Sequence, residues 1–304
     1  MEPSSVGRAV RAEPLVYRRL SGAASRARTS RPATATAPLA GVKVLDLTRV
    51  IAGPVATRFL AAYGADVLRV DPPGFVEVPA LLPETTAGKR CTALDLRRPE
   101  DRSRFEALLA DADVLVHGLR RGALRTLGYD PEQLSQRYPA LVVAGVNAYG
   151  VSGPWASRRG FDSLVQMSAG IAAHGMTVAG AQKPVPLPVQ ALDHATGYLL
   201  AAAIVRALLR RAEHGEGEQL HVSLARTAAW LVDLGVADSV IGGALAKGEE
   251  APFLEEAITA WGPVRRVRCP GEIEGVRASW MLAPGPLGRD DARWATPDEN
   301  LLRY

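Results

Sequence analysis

The chain has 304 residues, 47% hydrophobic and 22% charged, with a formal net charge of +4, enough to bury one large core or two small ones. Its longest apolar run, residues 198 to 205, stops at Arg206, well short of the roughly 20 residues that a membrane-spanning helix needs. Two cysteines, Cys91 and Cys269, lie 178 positions apart without ligand-like spacing, which fits reduced thiols in a cytoplasm better than a disulfide framework.

The cations are 32 Arg against 4 Lys. They alternate with acids along most of the chain and form no basic stripe with interleaved aromatics, so neither nucleic acid nor a membrane is an expected partner. The exception is residues 1–38, with seven Arg and only Glu2 and Glu13 as acids. Without a hydrophobic h-region this stretch is no secretory signal, and it reads as a disordered Arg-rich leader.

From residue 39 the pattern is regular. Short Val- and Leu-rich runs at 42–47, 66–70, 113–117 and 141–146 alternate with helical periodicity, notably at 53–63 and 99–111. This alternation predicts an α/β fold, a Rossmann-like parallel sheet with helices on both faces. Residues 161–214 then read as mostly helical, closed by Gly215 and Gly217, before "EQLHVSL" returns as a strand. Past residue 260 Pro, Gly and Arg take over, which predicts an extended tail on the surface. The expected division is therefore a large domain over 39–225 and a reduced second region with its C-terminal tail over 226–304.

One turn stands out within the large domain. In "TRVIAGPVATRF" a strand ends and a helix opens at Gly53 and Pro54. Unpaired amides and the positive end of a helix dipole make such a turn, Val50 to Pro54, able to receive an anionic or polar ligand edge. It lacks the three-glycine dinucleotide fingerprint, and the chain has no Walker A sequence.

Five blocks in order, "GVKVLDLTRVIAGPVATRFLAAYGADVLRVDPPG", "GKRCTALDLRRPE", "ADVLVHGLRRGALRTLGYDPEQL", "RRGFDSLVQMSAG" and "LDHATGYLLAAAIVRALLRRAEHGEGEQLHVSL", resemble the family III CoA-transferases. That family includes formyl-CoA transferase, carnitine CoA-transferase and α-methylacyl-CoA racemase. The resemblance covers roughly residues 39–225. The tail also resembles the terminal segment of long, internally duplicated actinobacterial-type members, of which this chain reads as the C-terminal half.

The resemblance implies a Rossmann-like large domain in an interlocked homodimer, acyl-CoA and a carboxylic acid as substrates, and no tightly bound cofactor or metal. It places the nucleotide end of CoA on Val50, Ile51, Ala52, Gly53 and Pro54, with Lys89 approaching the phosphates. Arg120 and Arg121 stand either as replacement phosphate ligands or as surface arginines beside a tight turn. The family's transferases use an aspartate that forms a mixed anhydride and then an aspartyl-CoA thioester, but the matching stretch here, residues 174–190, contains no acid. Its racemases pair a His with an Asp; the Asp matches Asp193, whereas the His position holds Phe161.

Two carboxylates remain as catalytic candidates. Asp193 opens a long helix, where N-capping is its structural alternative, and Asp162 stands where it would cap a helix beginning at Ser163. The expected function is transfer of CoA between an acyl-CoA and an acid through an aspartyl intermediate. The alternatives are 2-methylacyl-CoA racemisation with Asp193 and a second base, or a truncated CoA-binding relative without catalysis.

Overall fold

The computed structural model describes residues 4–21, 37–235, 246–271, 273–276, 278–296 and 299. In chain order the elements are α1 (Ser5–Ala12), β1 (Tyr17–Leu20), β2 (Lys43–Leu47), α2 (Ala52–Ala62), β3 (Asp66–Asp71), α3 (Leu82–Thr85), β4 (Lys89–Ala93), α4 (Pro99–Asp111), β5 (Val114–His117), α5 (Ala123–Thr126), α6 (Pro131–Arg137) and β6 (Val142–Asn147). They continue as α7 (Asp162–Ser168), α8 (Ile171–Val178), α9 (Ala191–His214), β7 (Glu218–Ser223), α10 (Leu224–Asp233), β8 (Leu254–Thr259) and β9 (Gly262–Val267).

Seven strands form one sheet in the order β1-β7-β6-β5-β2-β3-β4, all parallel except β1, which pairs antiparallel with β7. Alternation along each strand sorts side chains to two cores. Val44, Val67, Val116, Ala144 and Val222 face α2, α9 and α10, whereas Leu45, Leu68, Leu115 and Val143 face α4 and α6. The fold class is thus the Rossmann-like α/β arrangement expected from the run pattern. The chain moves outward from β2 to β3 and β4, then returns to β5 on the other side. The carboxyl ends of β2 and β5 therefore flank a switch point, the usual ligand crevice of such sheets.

The 24-residue α9 is long and apolar enough to cross a membrane by length and composition. Its apolar residues Leu192, Leu200, Ala201, Ile204 and Ala207 are instead buried in the core beside α2. Near its end Arg211 is buried, donating to Asp113 Oδ1 at 2.9 Å and to the carbonyls of Asp113 and Ala140. Asp113 also accepts the Lys43 amide at 2.8 Å, so this pair joins α9 to the entrances of β2 and β5.

Three expectations need correction. The leader is not disordered over residues 4–21: Ser4 caps α1, Val10 is buried, and β1 extends the sheet. Its arginines, read as a sign of disorder, have partners: Arg11 with Asp233, Arg18 with the buried Glu218, and Arg19 with Glu132. The boundary at 225 cuts through α10, whose Ala225, Ala228 and Ala229 belong to the main core. Residues 254–267 form the β8–β9 hairpin, and the extended tail begins only afterwards, where Trp280 donates to the Arg58 carbonyl and Gly88 to the Leu282 carbonyl. Strand β4 went unread because "KRCTA" opens with two cations. The segment "GVADSVIGGAL" lies, apart from Gly235, outside the described residues.

Truncating Arg211 removes the guanidinium that pairs with the buried Asp113 carboxylate. We expect Arg211→Ala to cost about 3–5 kcal/mol in urea denaturation and the exposed Arg206→Ala less than about 0.5 kcal/mol. Equal effects would refute a structural role for the Arg211–Asp113 pair.

Candidate active site

The turn after β2 is built on Asp46, which is fully buried. Its Oδ1 accepts the Thr48 amide at 2.8 Å and the Thr48 hydroxyl at 2.5 Å, and its Oδ2 accepts the Thr57 hydroxyl at 2.6 Å and Lys89 Nζ at 2.9 Å. Burial alone would raise the Asp46 pKa, but the charges of Lys89 and Arg69, with hydrogen bonds from Lys89 and Thr48, outweigh it and hold the carboxyl below its ordinary value. Gly53 is required by this packing, because a Cβ there would lie 2.2 Å from Thr48 Cβ. Val50 takes φ 66°, a costly conformation for a β-branched residue. Its amide donates to Glu77 Oε2 at 3.0 Å, and the same oxygen accepts Arg69 Nη2 at 3.2 Å.

The expectation that Lys89 reaches CoA phosphates is not met. Its side chain has 0% exposure and its ammonium is bonded to Asp46, to the Thr57 hydroxyl at 2.6 Å and to the Pro54 carbonyl at 3.2 Å. Lys89 supports the turn from behind. Val50 and Ile51 are half-buried and the only part of the turn open to solvent, whereas Ala52, Gly53 and Pro54 are buried. Ile51 at the N-cap carries no side-chain oxygen, so it cannot satisfy the amides of the first turn of α2. Arg120 and Arg121 are exposed in the loop after β5, and Arg121 Nη1 donates to the Val151 carbonyl at 3.2 Å.

The two candidate carboxylates meet. Asp162, 1% exposed, lies in the first turn of α7 but does not cap that helix. Its Oδ2 accepts the Asp193 amide at 2.9 Å, so it caps α9 across 31 positions of sequence, and its Oδ1 accepts Gln166 Nε2. Gln166 in turn accepts the Leu187 amide at 2.7 Å, which ties α7 to the segment leading into α9.

Asp193 is the third residue of α9, after Gln190 at the N-cap, and is 6% exposed. Burial, with the neighbouring Asp162 charge, pushes its carboxyl up to about 7. His194 is drawn below its ordinary value by burial and Arg58, with Asp162 opposing, so its imidazole is neutral at physiological pH.

The turn and the carboxylates are neighbours. One helical turn beyond Asp193, Gly197 seats against α2, where a Cβ would lie 2.6 Å from the Ala52 carbonyl oxygen and 2.8 Å from Val55. A lone glycine inside an apolar helix was the signal for this contact. Glu77, 27 positions from Val50 in a loop, gave no such signal. Phe161 is exposed at the N-cap of α7 and His174 is exposed on α8. Among the described residues no group of three or more His, Cys, Asp or Glu side chains could hold a metal ion.

A family model described as CoA-transferase family III matches residues 39–270. An acetyl-coenzyme A transferase of Hypoxylon pulicicidum is 34% identical over 205 residues, 66% of this chain and 35% of that protein. A probable fatty acyl-CoA transferase of Mycobacterium tuberculosis, Rv3272, is 34% identical over 216 residues, 67% of this chain and 54% of that protein. The chain therefore spans about half or less of the length of these relatives. The orthorhombic crystal structure of Rv3272 superimposes with a TM-score of 0.73 at 23% identity, covering 83% of this chain and 97% of that one, and shows the shared fold.

Asp193 binds its proton more tightly in the folded than in the unfolded chain. Its contribution to stability is full below about pH 4 and is lost as pH rises towards about 7, a change on the order of a few kcal/mol. We expect Asp193→Asn to remove this fall, so that the variant is the more stable protein at pH 8 and not at pH 4, as read by chemical denaturation at both values. Parallel pH profiles would overturn the assignment.

Proposed function

The chain belongs to CoA-transferase family III, and from this we propose that it moves CoA between an acyl-CoA and a carboxylic acid through an intermediate on Asp193. The carrying observation is the position of Asp193: buried, one helical turn from the α2 contact, with a carboxyl of unusually high proton affinity beside Asp162. High basicity makes the ionised carboxylate a better nucleophile, while a value near 7 leaves much of it ionised at neutral pH.

In this reading the nucleotide end of CoA lies along Val50 and Ile51, with the backbone of Ala52 to Pro54 shaping the turn and Arg120 and Arg121 facing the phosphates. The thioester carbonyl faces Asp193. Attack by its carboxylate forms a mixed anhydride and releases the CoA thiolate, which then attacks the aspartyl carbonyl, giving the aspartyl thioester and the donor acid. The acceptor carboxylate reverses both steps. Asp162 caps α9 and, after burial, contributes to the raised proton affinity of Asp193.

The working unit in this proposal is a cytoplasmic homodimer. Phe161, Leu164 and Met167 expose an apolar face of α7 beside the site, suited to a second copy of the chain, and both cysteines are free thiols. Racemisation is a second reading, favoured by one observation: the neutral imidazole of His194 adjoins the protonatable Asp193. The two side chains diverge by about 100° around the helix. Uptake of solvent deuterium at the α-carbon of a 2-methylacyl-CoA without CoA exchange would select racemisation.

Calorimetric titration with CoA should show binding by both the native chain and Asp193→Asn. CoA exchange and hydroxylamine trapping of the enzyme-bound acyl group should be lost in the variant by roughly a thousandfold or more. Because the ionised carboxylate is the active form, kcat/KM should rise with pH and level off above about 7. CoA binding by the native chain without any exchange would favour the non-catalytic CoA-binding relative, and absence of binding would remove both readings. Undiminished transfer by Asp193→Asn would remove Asp193 from the mechanism.

A further inference from the structure

Glu13, between α1 and β1, reaches the loop that leads from β6 to Asp162. Its Oε1 accepts the amides of Val151 at 2.9 Å and Ser152 at 2.6 Å, and the Ser152 hydroxyl at 2.6 Å. Two successive amides directed at one carboxylate oxygen form a nest that favours an anion. The loop is shaped to admit it: Gly150 has φ 89°, and a Cβ there would lie 2.3 Å from Glu13 Oε2. At Gly153 a Cβ would lie 2.5 Å from Ala9 Cβ, so α1 also packs directly on the loop.

The backbone of Glu13 is held as well, where Arg226 Nε donates to its carbonyl at 2.8 Å. Arg121 Nη1 donates to the Val151 carbonyl, so Val151 is held through both its amide and its carbonyl.

The loop is coupled to the carboxylate pair. At its base the Tyr149 hydroxyl lies 3.2 Å from Ser168 Oγ at the end of α7. Gly160 approaches so closely that a Cβ would lie 2.8 Å from Ala148 Cβ and 3.0 Å from the Tyr149 ring. Two residues later Asp162 caps α9 at Asp193. We propose that Glu13 is a positioning residue: by holding Val151 and Ser152 it sets the loop that delivers Asp162 to the N-terminus of α9, and so the placement of Asp193. Its kinetic consequence rests on the transferase reading above; its structural consequence does not.

The test compares Glu13→Ala with Glu13→Gln, which keeps an accepting oxygen, in the full chain. Glu13→Ala should lower kcat roughly tenfold or more with KM for acyl-CoA unchanged, since the loss is in alignment; Glu13→Gln should stay within about threefold of the native rate. Amide hydrogen exchange should accelerate in Glu13→Ala both at 151–152 and along 162–168. If Glu13→Ala fails to fold, Ser152→Ala, which removes one of the three donors, should raise exchange at 162–168 in the same sense. An unchanged or increased kcat in Glu13→Ala, or faster exchange confined to 151–152, overturns the proposal. If the native chain transfers no CoA, the transferase reading fails and exchange at 162–168 alone decides.

Discussion

The buried Asp46–Lys89 pair is the constraint on which the candidate site rests. It joins the end of β2, the first turn of α2 and the start of β4, with Thr48 and Thr57 taking up the remaining hydrogen-bonding capacity. A buried pair gains little net stability over apolar residues of the same size, because both ions must leave water, but it tolerates no loss of one partner. What it contributes is geometry. Lys89 on the Pro54 carbonyl and Asp46 on Thr48 leave the backbone one course through Val50, whose positive φ is further held by Glu77.

The opposite electrostatics of two aspartates follow from their neighbours. Asp46 is more deeply buried than Asp193, yet stays ionised because Lys89 and Arg69 oppose desolvation. Asp193 has a carboxylate for a neighbour and no cation among the causes that set its proton affinity, so burial and repulsion act in the same direction. An ionised carboxylate and one of raised proton affinity thus both lie beside α2, one on the strand that precedes it and the other on the helix packed against it.

Much of this was legible in the sequence. The strand runs lie within one or two residues of the observed strands, the helix over 99–111 matches its observed span, and the turn at Gly53 opens α2. Asp193 and Asp162 were both singled out, but as separate helix starts. That Asp162 caps the helix of Asp193 depends on two elements 31 positions apart meeting at their N-termini. The leader was misread because an Arg-rich composition has no folded meaning until Glu218, Glu132 and Asp233 are brought beside it.

The sequence by itself determined the α/β alternation and the location of the turn, because hydrophobic periodicity and helix-opening chemistry are local properties of the chain; the family came from the resemblance of five ordered blocks. The tertiary structure decided which polar groups are paired and with whom: Lys89 turned inward to Asp46, Glu13 seated on Val151 and Ser152, and Arg18 set against the buried Glu218. A side chain's charge state and role follow from its desolvation and its partners, and those are fixed only when segments 43, 138 and 200 positions apart pack together.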